Sequence, residues 1–338
     1  MKVLSVIVPT YNMEKYLCRC LDSLILDDEK MEKLEVLVIN DGSKDSSSDI
    51  AHEYQMKYPN TFIVIDKENG NYGSCINIGL CEATGKYFKI LDADDWFDKE
   101  SFDKYLAFLS AQDTDLVLNN YRMVDAKGNV IRNIEIQNLQ KKQVYKFSEL
   151  VKRGLFFQMH SVAYKTQILK DMHYKQTEGI SYTDNEFVMK PFSAVKDISV
   201  SGVCLYNYFV GRDGQTMNNV IADKSFGQFC VVAISLVEFA LNYEGDNMRR
   251  QYLRQNALAY LCYLYRKHIF ENSFDDKLFR EFDSKIRREY ACIFKGSGKI
   301  MRKIYISIWR LDKTGFATRM MRIIWRLSNK STANNFDK

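Results

Sequence analysis

The sequence predicts an α/β fold in which a mostly parallel, Rossmann-like sheet is flanked by helices and followed by a helical C-terminal extension. Two features of about the first hundred residues indicate the sheet. Short runs rich in Val, Ile and Leu alternate with segments whose apolar residues recur at helical spacing, and the runs are apolar throughout, as in strands covered on both faces. The extension is indicated by helical patterns with few interior glycines and prolines.

The predicted elements follow in order from the N-terminus. A β-branched run begins at Val3 and is stopped by Pro9, which we expect to end the first strand because proline lacks a backbone N–H. Apolar residues at helical spacing then indicate the first helix. The same patterns predict helices over 16–24, 49–56, 74–83, 226–241 and 253–270, and strands over 34–39, 61–65 and 87–91.

The strand at 87–91 runs into three carboxylates, Asp92, Asp94 and Asp95. Like charges this close are unfavourable unless solvent or a cation relieves their repulsion. Mg²⁺ is usually shared between one or two carboxylates and substrate phosphates, so Asp-x-Asp after a strand indicates a metal-bridged nucleotide site. The alternative is a surface turn with a helix N-cap, since Asp is favoured in both places.

Further polar residues are expected at the same edge of the sheet. In open α/β sheets, ligands bind beyond the carboxyl ends of the strands. The stretch 9–11 lies at the end of the first strand, Asp41 at the end of the second and the carboxylates at the end of the fourth. Residues far apart in sequence are therefore expected to converge on one site.

Four segments carry motifs in succession: Val-Ile-Val-Pro-Thr-Tyr-Asn at 6–12, Val-Ile-Asn-Asp-Gly-Ser at 38–43, Asn-Tyr-Gly-Ser-Cys-Ile-Asn-Ile-Gly at 71–79 and Leu-Asp-Ala-Asp-Asp at 91–95. In this order they resemble the signatures of family 2 glycosyltransferases, which have the GT-A fold. Four motifs in sequence are far more specific than any one alone. The resemblance is clear over about the first hundred residues and weaker to about residue 217.

The resemblance implies an inverting enzyme that moves a hexose or N-acetylhexosamine from a nucleotide diphosphate donor, expected to be a UDP-sugar, to a hydroxyl. The expected acceptor is a growing, lipid-linked glycan, as in capsule, exopolysaccharide or wall assembly. Mn²⁺ or Mg²⁺ is the expected cofactor, because a cation neutralises the diphosphate leaving group. A nucleotidyltransferase and a non-catalytic sugar-nucleotide or membrane-docking module are the alternatives.

The resemblance also assigns donor contacts. Asp41 is expected to contact uracil, with an Asx-turn or a helix cap as the alternative. Asp94 is the expected metal ligand, with Asp92 nearer the ribose or a metal-bound water, and Asp95 is expected to bind sugar hydroxyls or to cap a helix. The remaining expected donor contacts are Pro9, Thr10, Tyr11, Asn71, Gly73 and Arg212, whose guanidinium suits phosphate unless it lies in a surface turn.

A base must take the proton of the acceptor hydroxyl. Residues 179–187 resemble the segment in which these enzymes carry an acidic pair ahead of a helix, with Thr183 standing where the family often has Glu. Asp184 is therefore the expected base, although an Asp at a helix start is often an N-cap. Glu186 is the rival base, and His160 is a weaker candidate for contact with the acceptor.

Length and composition indicate one catalytic domain with an appendage. The eight cysteines and four histidines lack the spacing of a zinc or histidine metal centre. The sequence has neither a secretory signal nor an uncharged apolar stretch of about 18 residues, so we expect a cytoplasmic protein. The expected organisation is a nucleotide-sugar-binding half over 1–100, an acceptor-side half over 101–219, a helical region over 220–330 and a disordered end over 331–338.

Residues 295–330 form a strongly basic tail. They carry ten Lys and Arg residues against a single acidic residue, Asp312, whereas the whole chain has a net charge of +5. Basic residues on one side of a helix with Trp and Ile on the other indicate an interfacial helix on an anionic inner leaflet. The alternative is a hairpin packed on the catalytic domain with a solvated basic face. Nucleic acid is not an expected partner, because no recognisable nucleic-acid-binding fold accompanies the patch.

Overall fold

The structure is a computed structural model, which describes residues 1–137, 139–141, 143–154, 157–211, 226–271, 275–294, 301–312 and 314–333, with the side chains of all these residues except 301–303 and 326–333. The chain divides into two compact units, Met1–Gln215 and Thr216–Lys338. The four-part organisation expected from the sequence stays a prediction.

The first unit is built on a sheet of ten strands in the described part of the chain. The strands are Leu4–Thr10 (β1), Leu34–Asn40 (β2), Phe62–Asp66 (β3), Tyr87–Ile90 (β4), Trp96–Phe97 (β5), Leu116–Val124 (β6), Val130–Ile134 (β7), Val144–Lys146 (β8), Val162–Lys165 (β9) and Asp197–Phe209 (β10). Their spatial order is β3-β2-β1-β4-β9-β6-β10-β5, with β7 paired to β6 and β8 to β10.

Helices cover this sheet. They are Leu17–Asp22 (α1), Asp28–Met31 (α2), Ser47–Lys57 (α3), Asn71–Glu82 (α4), Lys99–Ser110 (α5), Phe147–Arg153 (α6), Thr166–Asp171 (α7) and Asp184–Phe192 (α8), with a 3₁₀ turn at Met159–Ser161. Helix α5 shows how the apolar pattern places them, because Phe102, Tyr105, Leu106 and Leu109 recur three and four residues apart and are all buried.

Strands β1 to β4 form the parallel part of the sheet. β1 pairs in parallel with β2 and with β4, and β2 pairs in parallel with β3, whereas β9 joins β4 antiparallel. Every side chain of β2 and nearly every one of β1 is buried. Burial on both faces explains why these strands are continuous apolar runs and not alternating ones. The predicted α/β fold with a mostly parallel sheet is confirmed.

The sequence predicted that the first strand ends at Pro9. In the structure the strand continues to Thr10. The N–H of Leu91 donates to Ile7 O at 2.9 Å, which is the last bond between the β1 and β4 segments. The next bond on that side would need an N–H at residue 9. Proline therefore ends the pairing with β4 but not the strand, which still pairs with β2 opposite Ile39.

The second unit is helical. Its elements are Phe226–Asn242 (α9), Asn247–Arg266 (α10) with a π turn at Lys267–Glu271, Asp276–Glu289 (α11), a 3₁₀ turn at Ala291–Phe294, Met301–Leu311 (α12) and Phe316–Ala333 (α13). Buried Asp283 of α11 accepts hydrogen bonds from Tyr265 of α10 and from Arg310 Nε of α12, the latter at 2.9 Å. This network joins three helices. Within the described ranges, no helix has the length and apolar character needed to cross a bilayer.

Helices α12 and α13 form a hairpin that is only partly buried. Ile306 and Trp309 are 2% and 1% exposed, and Asp312 fixes the turn by accepting hydrogen bonds from Thr318 N and Oγ1, both at 2.7 Å. These bonds lower the pKa of Asp312 to about 2. Seven large apolar side chains of the hairpin remain exposed, and we call them the apolar stripe: Ile304, Ile308, Leu311, Phe316, Met320, Ile323 and Ile324.

Candidate active site

Polar residues meet at the carboxyl edge of the parallel strands. Asp41 follows β2, and its N–H donates to Thr10 O at the end of β1 at 2.8 Å. Asp92 follows β4, which is the other neighbour of β1. Since these strands are parallel, the residues that follow them lie side by side. The convergence expected from the sequence is therefore present.

Asp41 holds the glycine loop, which we define as residues 67–73. Asp41 is 3% exposed, and its carboxylate accepts hydrogen bonds from Lys67 Nζ and from Gly70 N, the latter at 2.9 Å. The Asx-turn is made by Asn40, whose Oδ1 accepts from Ser43 N at 3.2 Å. Contact between Asp41 and a nucleotide base stays a prediction.

The glycine loop is bound to residues 174–179, which we call the bridge segment. Asn71 begins α4 with φ of +63°, a conformation that asparagine tolerates better than most residues. A Cβ on Gly73 would lie 1.9 Å from Thr177 O, so only glycine allows this approach of the two backbones. The N–H of Gly179 donates to Gly70 O at 2.8 Å.

Asn77 extends this attachment along α4 and into α8. Its Nδ2 donates to Gln176 O at 2.9 Å, and its Oδ1 accepts from Gln176 N at 2.8 Å. The Nε2 of Gln176 donates in turn to Thr183 Oγ1 at 2.8 Å, directly before Asp184. Hydrogen bonds therefore run from the helix after the glycine loop to the start of α8.

The acidic cluster at 92–95 is held by residues distant in sequence. Tyr72 OH, in the glycine loop, donates to Asp92 Oδ1 at 2.8 Å. Asp95 is fully buried and accepts from Tyr206 OH and from the N–H of Phe209, both at 2.7 Å. The cluster is thus tied both to the glycine loop and to β10.

Arg19 contacts the acidic cluster, and Asp98 caps the helix that follows it. Arg19 Nη2 donates to Asp94 O at 2.9 Å, and its guanidinium lies 3.8 Å from the centroid of the Trp96 ring. Asp98, and not Asp95, caps helix α5, because its Oδ1 accepts from the N–H of Ser101 at 3.0 Å. Contact between Asp95 and sugar hydroxyls stays a prediction.

The carboxylates of the cluster repel one another. Burial raises the pKa of Asp95 well above its usual range, and the charges of Asp94 and Asp92 raise it further. Burial also raises the pKa of the Tyr206 phenol, as do the charges of Asp95 and Asp92. A bound cation would favour the ionised carboxylates and relieve this repulsion.

His160 joins the cluster from another part of the chain. An oxygen of Asp92, an oxygen of Asp95 and a ring nitrogen of His160 lie within 4.8 Å of one another. Two carboxylates and an imidazole form a donor set that binds divalent cations. The residues present therefore fit the metal that the resemblance implies. Asp94, the expected ligand, is 8% exposed and is not one of these three, and its role stays a prediction.

Asp184 is the first residue of α8, and Thr183 takes the N-cap position without a capping side-chain hydrogen bond. Asp184 is half-buried, and burial raises the pKa of its carboxyl group. Its charge also helps to raise the pKa of the phenols of Tyr72 and Tyr208, after burial and the charge of the acidic cluster.

Glu186 differs sharply from Asp184. It is fully buried and accepts hydrogen bonds from Thr177 N at 2.8 Å, from Thr177 Oγ1 at 2.9 Å and from Lys190 Nζ at 2.9 Å. All three donors belong to the bridge segment or to α8 itself. Glu186 thus fastens the bridge segment to α8.

The other predicted donor contacts lie at the sheet edge or outside the described residues. Pro9 and Thr10 end β1, and Tyr11 is 45% exposed beyond it. Arg212 lies outside the described residues. The sequence did not single out Tyr206, which is 111 residues from Asp95, because a contact over that separation leaves no local pattern.

Comparisons with known proteins match this chain to a family of sugar-transferring enzymes. The model of the family described as "Glycosyl transferase family 2" matches residues 5–172. The chain is 28% identical over 296 residues to the minor teichoic acid biosynthesis protein GgaB of Bacillus subtilis, covering 86% of this chain and 32% of that protein. It is 30% identical over 216 residues to the poly(ribitol-phosphate) β-N-acetylglucosaminyltransferase TarS of Staphylococcus aureus, covering 64% of this chain and 37% of TarS. The chain thus spans about a third of the length of these relatives.

Solved structures show the same architecture. The complex of S. aureus TarS 1-349 with UDP-GlcNAc has a TM-score of 0.60 and 25% identity, covering 80% of this chain and 73% of that one. The mannosyltransferase PcManGT of Pyrobaculum calidifontis, in complex with GDP-Man and Mn²⁺, has a TM-score of 0.53 and 15% identity, covering 99% of this chain and 87% of that one. The likeness confirms the predicted fold.

Proposed function

The chain belongs to glycosyl transferase family 2 through residues 5–172, and we propose that it moves a sugar from a nucleotide diphosphate donor to a hydroxyl of a cell-surface polymer. One observation carries the proposal: hydrogen bonds link helix α4, whose Tyr72 donates to Asp92 of the acidic cluster, to Thr183, the residue directly before Asp184. Such a transfer needs a cation for the leaving diphosphate and a base for the incoming hydroxyl. The site offers residues for both.

The proposed donor is a UDP-sugar, with UDP-GlcNAc as the first candidate because the structural relative TarS binds it. Asp41 would contact the uracil at the end of β2, beside Pro9, Thr10 and Tyr11. The glycine loop, with Asn71 and Gly73, lets the backbone approach the diphosphate or sugar closely. Arg212 is proposed to reach the phosphates.

The proposed reaction is a direct displacement with inversion at the anomeric carbon. Asp184 accepts the proton of the acceptor hydroxyl at its carboxylate while the new glycosidic bond forms and the bond to the diphosphate breaks. Mn²⁺ or Mg²⁺, held by Asp92 with Asp94 or Asp95, supplies a Lewis acid for the leaving group when it is bound. Asp184 is preferred to Glu186 as the base because all three hydrogen bonds of Glu186 given above serve to hold α8.

The proposed acceptor is a hydroxyl of a wall polymer that is lipid-linked while it grows. The relatives GgaB and TarS support this class, since one is a minor teichoic acid biosynthesis protein and the other acts on poly(ribitol-phosphate). With such an acceptor, the proposed location of the enzyme is the cytoplasmic face of the membrane.

Donor binding tests the proposed function. A ligand that binds only the native state raises its stability by about 2.7 kcal/mol at 100 times its Kd. UDP-GlcNAc with Mn²⁺ should therefore raise the melting temperature by roughly 5 to 10 °C for a unit of this size. Thermal shift over a panel of nucleotide sugars and nucleoside triphosphates measures this. Stabilisation by triphosphates alone would favour a nucleotidyltransferase, and stabilisation without release of UDP to any acceptor would favour a binding module.

We also propose that the hairpin of α12 and α13 docks on an anionic membrane. The tail over 295–330 is strongly basic, and the apolar stripe is exposed on the same two helices. Each Lys or Arg near an anionic surface contributes about 1 kcal/mol, and inserted apolar side chains add burial. Trp309 is buried within its own unit, but it is not part of the apolar stripe. Its burial is therefore compatible with membrane docking through the stripe.

Substitutions in the stripe test membrane docking without unfolding the unit. Leu311 and Phe316 are 81% and 69% exposed, so Leu311→Ser with Phe316→Ser should weaken binding to anionic vesicles at least about tenfold while the melting temperature holds. Leu278→Ser with Met56→Ser, at exposed positions outside the stripe, is the matched control. Co-sedimentation at several salt concentrations measures binding. Failure of the unaltered chain to bind at low salt would end the membrane proposal.

A further inference from the structure

We infer that His160 is a direct ligand of the divalent cation, and that it makes this site prefer a first-row transition-metal ion such as Mn²⁺ to Mg²⁺. The inference rests on the proposed function, because the cation is the one that serves the donor diphosphate. The residue lies 68 positions after Asp92, outside every motif that the sequence analysis singled out.

His160 is a buried polar side chain at the acidic cluster. It is 9% exposed, and its Nδ1 has no hydrogen-bond partner in the part of the chain that the structure describes. A buried ring nitrogen without a partner is energetically unfavourable, so such an atom calls for a ligand. Oxygens of Asp92 and Asp95 lie within 4.8 Å of a nitrogen of the ring. A shared cation satisfies all three groups.

The surroundings of His160 fix the ring in place. Its backbone oxygen accepts from Lys89 Nζ and from Asn119 Nδ2, both at 3.0 Å, beneath the 3₁₀ turn. Its ring lies against those of Tyr206 and Tyr208, with centroids 4.7 Å and 4.6 Å away. A ligand held from both backbone and ring sides needs little reordering when an ion binds.

The chemistry of the imidazole selects the ion. Imidazole binds a metal ion through a neutral ring nitrogen. Imidazole nitrogen suits first-row transition-metal ions, most strongly those after Mn²⁺ in the series, and Mn²⁺ accepts it more readily than Mg²⁺, which strongly prefers oxygen ligands in a regular octahedron. Two carboxylates with one imidazole therefore favour the transition-metal ion.

Pulsed electron paramagnetic resonance of Mn²⁺ tests the assignment directly. The tag-free full chain, stripped of metal in an imidazole-free buffer, is titrated with Mn²⁺ alone and with Mn²⁺ plus UDP. Bound Mn²⁺ should show the nitrogen coupling of one imidazole, and His160→Gln should abolish that coupling. The same variant should lose at least about tenfold in Mn²⁺ affinity and show a smaller ratio of Mn²⁺ to Mg²⁺ affinity, because the amide offers oxygen in place of nitrogen.

His52→Gln is the matched control, because His52 is an exposed histidine of the same unit that pairs with Asp66. It should leave coupling and affinity unchanged. Bound Mn²⁺ without imidazole coupling in the unaltered chain would overturn the assignment, even if His160→Gln fails to fold. Phosphorus coupling to UDP in that same sample would leave the proposed function standing. If the unaltered chain bound no Mn²⁺ either with or without UDP, the assignment would be wrong. Calorimetric titration with the donor would then test the proposed function separately.

Discussion

Replacing Asp184 with asparagine should lower the rate of sugar transfer by about 100-fold or more and leave the affinity for the donor nearly unchanged. The amide cannot accept the proton of the acceptor hydroxyl, and a positioned base contributes about this much to a rate. Single-turnover kinetics with a UDP-sugar and calorimetric titration with UDP measure the two quantities separately.

The raised pKa of Asp184 adds a pH signature. On the acidic side of the pH–rate profile, activity should fall with an apparent pKa above that of an ordinary carboxyl group. The residual activity of Asp184→Asn should not show this fall. The stability effect has a definite sign. A carboxyl whose folded pKa is raised stabilises the protein below its unfolded pKa, and this contribution is lost as pH rises through the folded pKa. The variant should therefore melt at the same or a higher temperature at neutral pH. Turnover equal to the unaltered chain, or loss of donor binding instead, would refute the assignment of the base.

Replacing Glu186 with glutamine should cost about 3 kcal/mol of folding free energy, since it removes a charged partner of the buried Lys190. For a unit of this size the melting temperature should fall by roughly 6 to 12 °C. The amide oxygen can still accept from Thr177, so the loss belongs mainly to the charge pair. Thermal and denaturant unfolding measure it.

Two further variants isolate the buried pair. Adding Lys190→Met to Glu186→Gln should restore much of the stability, because it also removes the buried charge that Glu186 had balanced. Glu100→Gln breaks an exposed pair with Lys104 at the same helical spacing and should leave the melting temperature within error. If Glu186→Gln kept full stability but lost the acidic limb of the pH profile, Glu186 would be the base and our assignment would be wrong.

Local sequence patterns were sufficient to predict the fold and the edge of the sheet where the candidate site lies. The short, continuous apolar runs of β1 and β2 lack helical spacing, so they were predicted as buried strands. The helix predicted between them indicated that the two strands run parallel. Asp41 and Asp92 each come just after one of these strands. Because parallel strands end at the same edge of the sheet, the two residues could be predicted to lie at one edge. The family match agrees with the resemblance that those motifs carried.

Pairing between distant segments could not be predicted in the same way. Nothing near Asp95 indicates that Tyr206 of β10 binds it, and nothing near Glu186 indicates that Thr177 donates to it. Asp184 and Glu186 look alike as acidic residues at a helix start. They were separated only by burial and by the donors that tertiary structure brings to each of them.

The attachment of the bridge segment to the glycine loop has a consequence for engineering this protein. Gly73 and Thr177 touch through their backbones, and Gly179 binds Gly70. The bridge segment is also bound to Thr183, directly before the proposed base Asp184, so we propose that it borders the acceptor. A change that shifts it to admit a bulkier acceptor must also shift the loop proposed to hold the donor. Libraries that vary the two sides independently should therefore yield few active members. New acceptor specificity would be reached more readily by paired changes across the Gly73 contact.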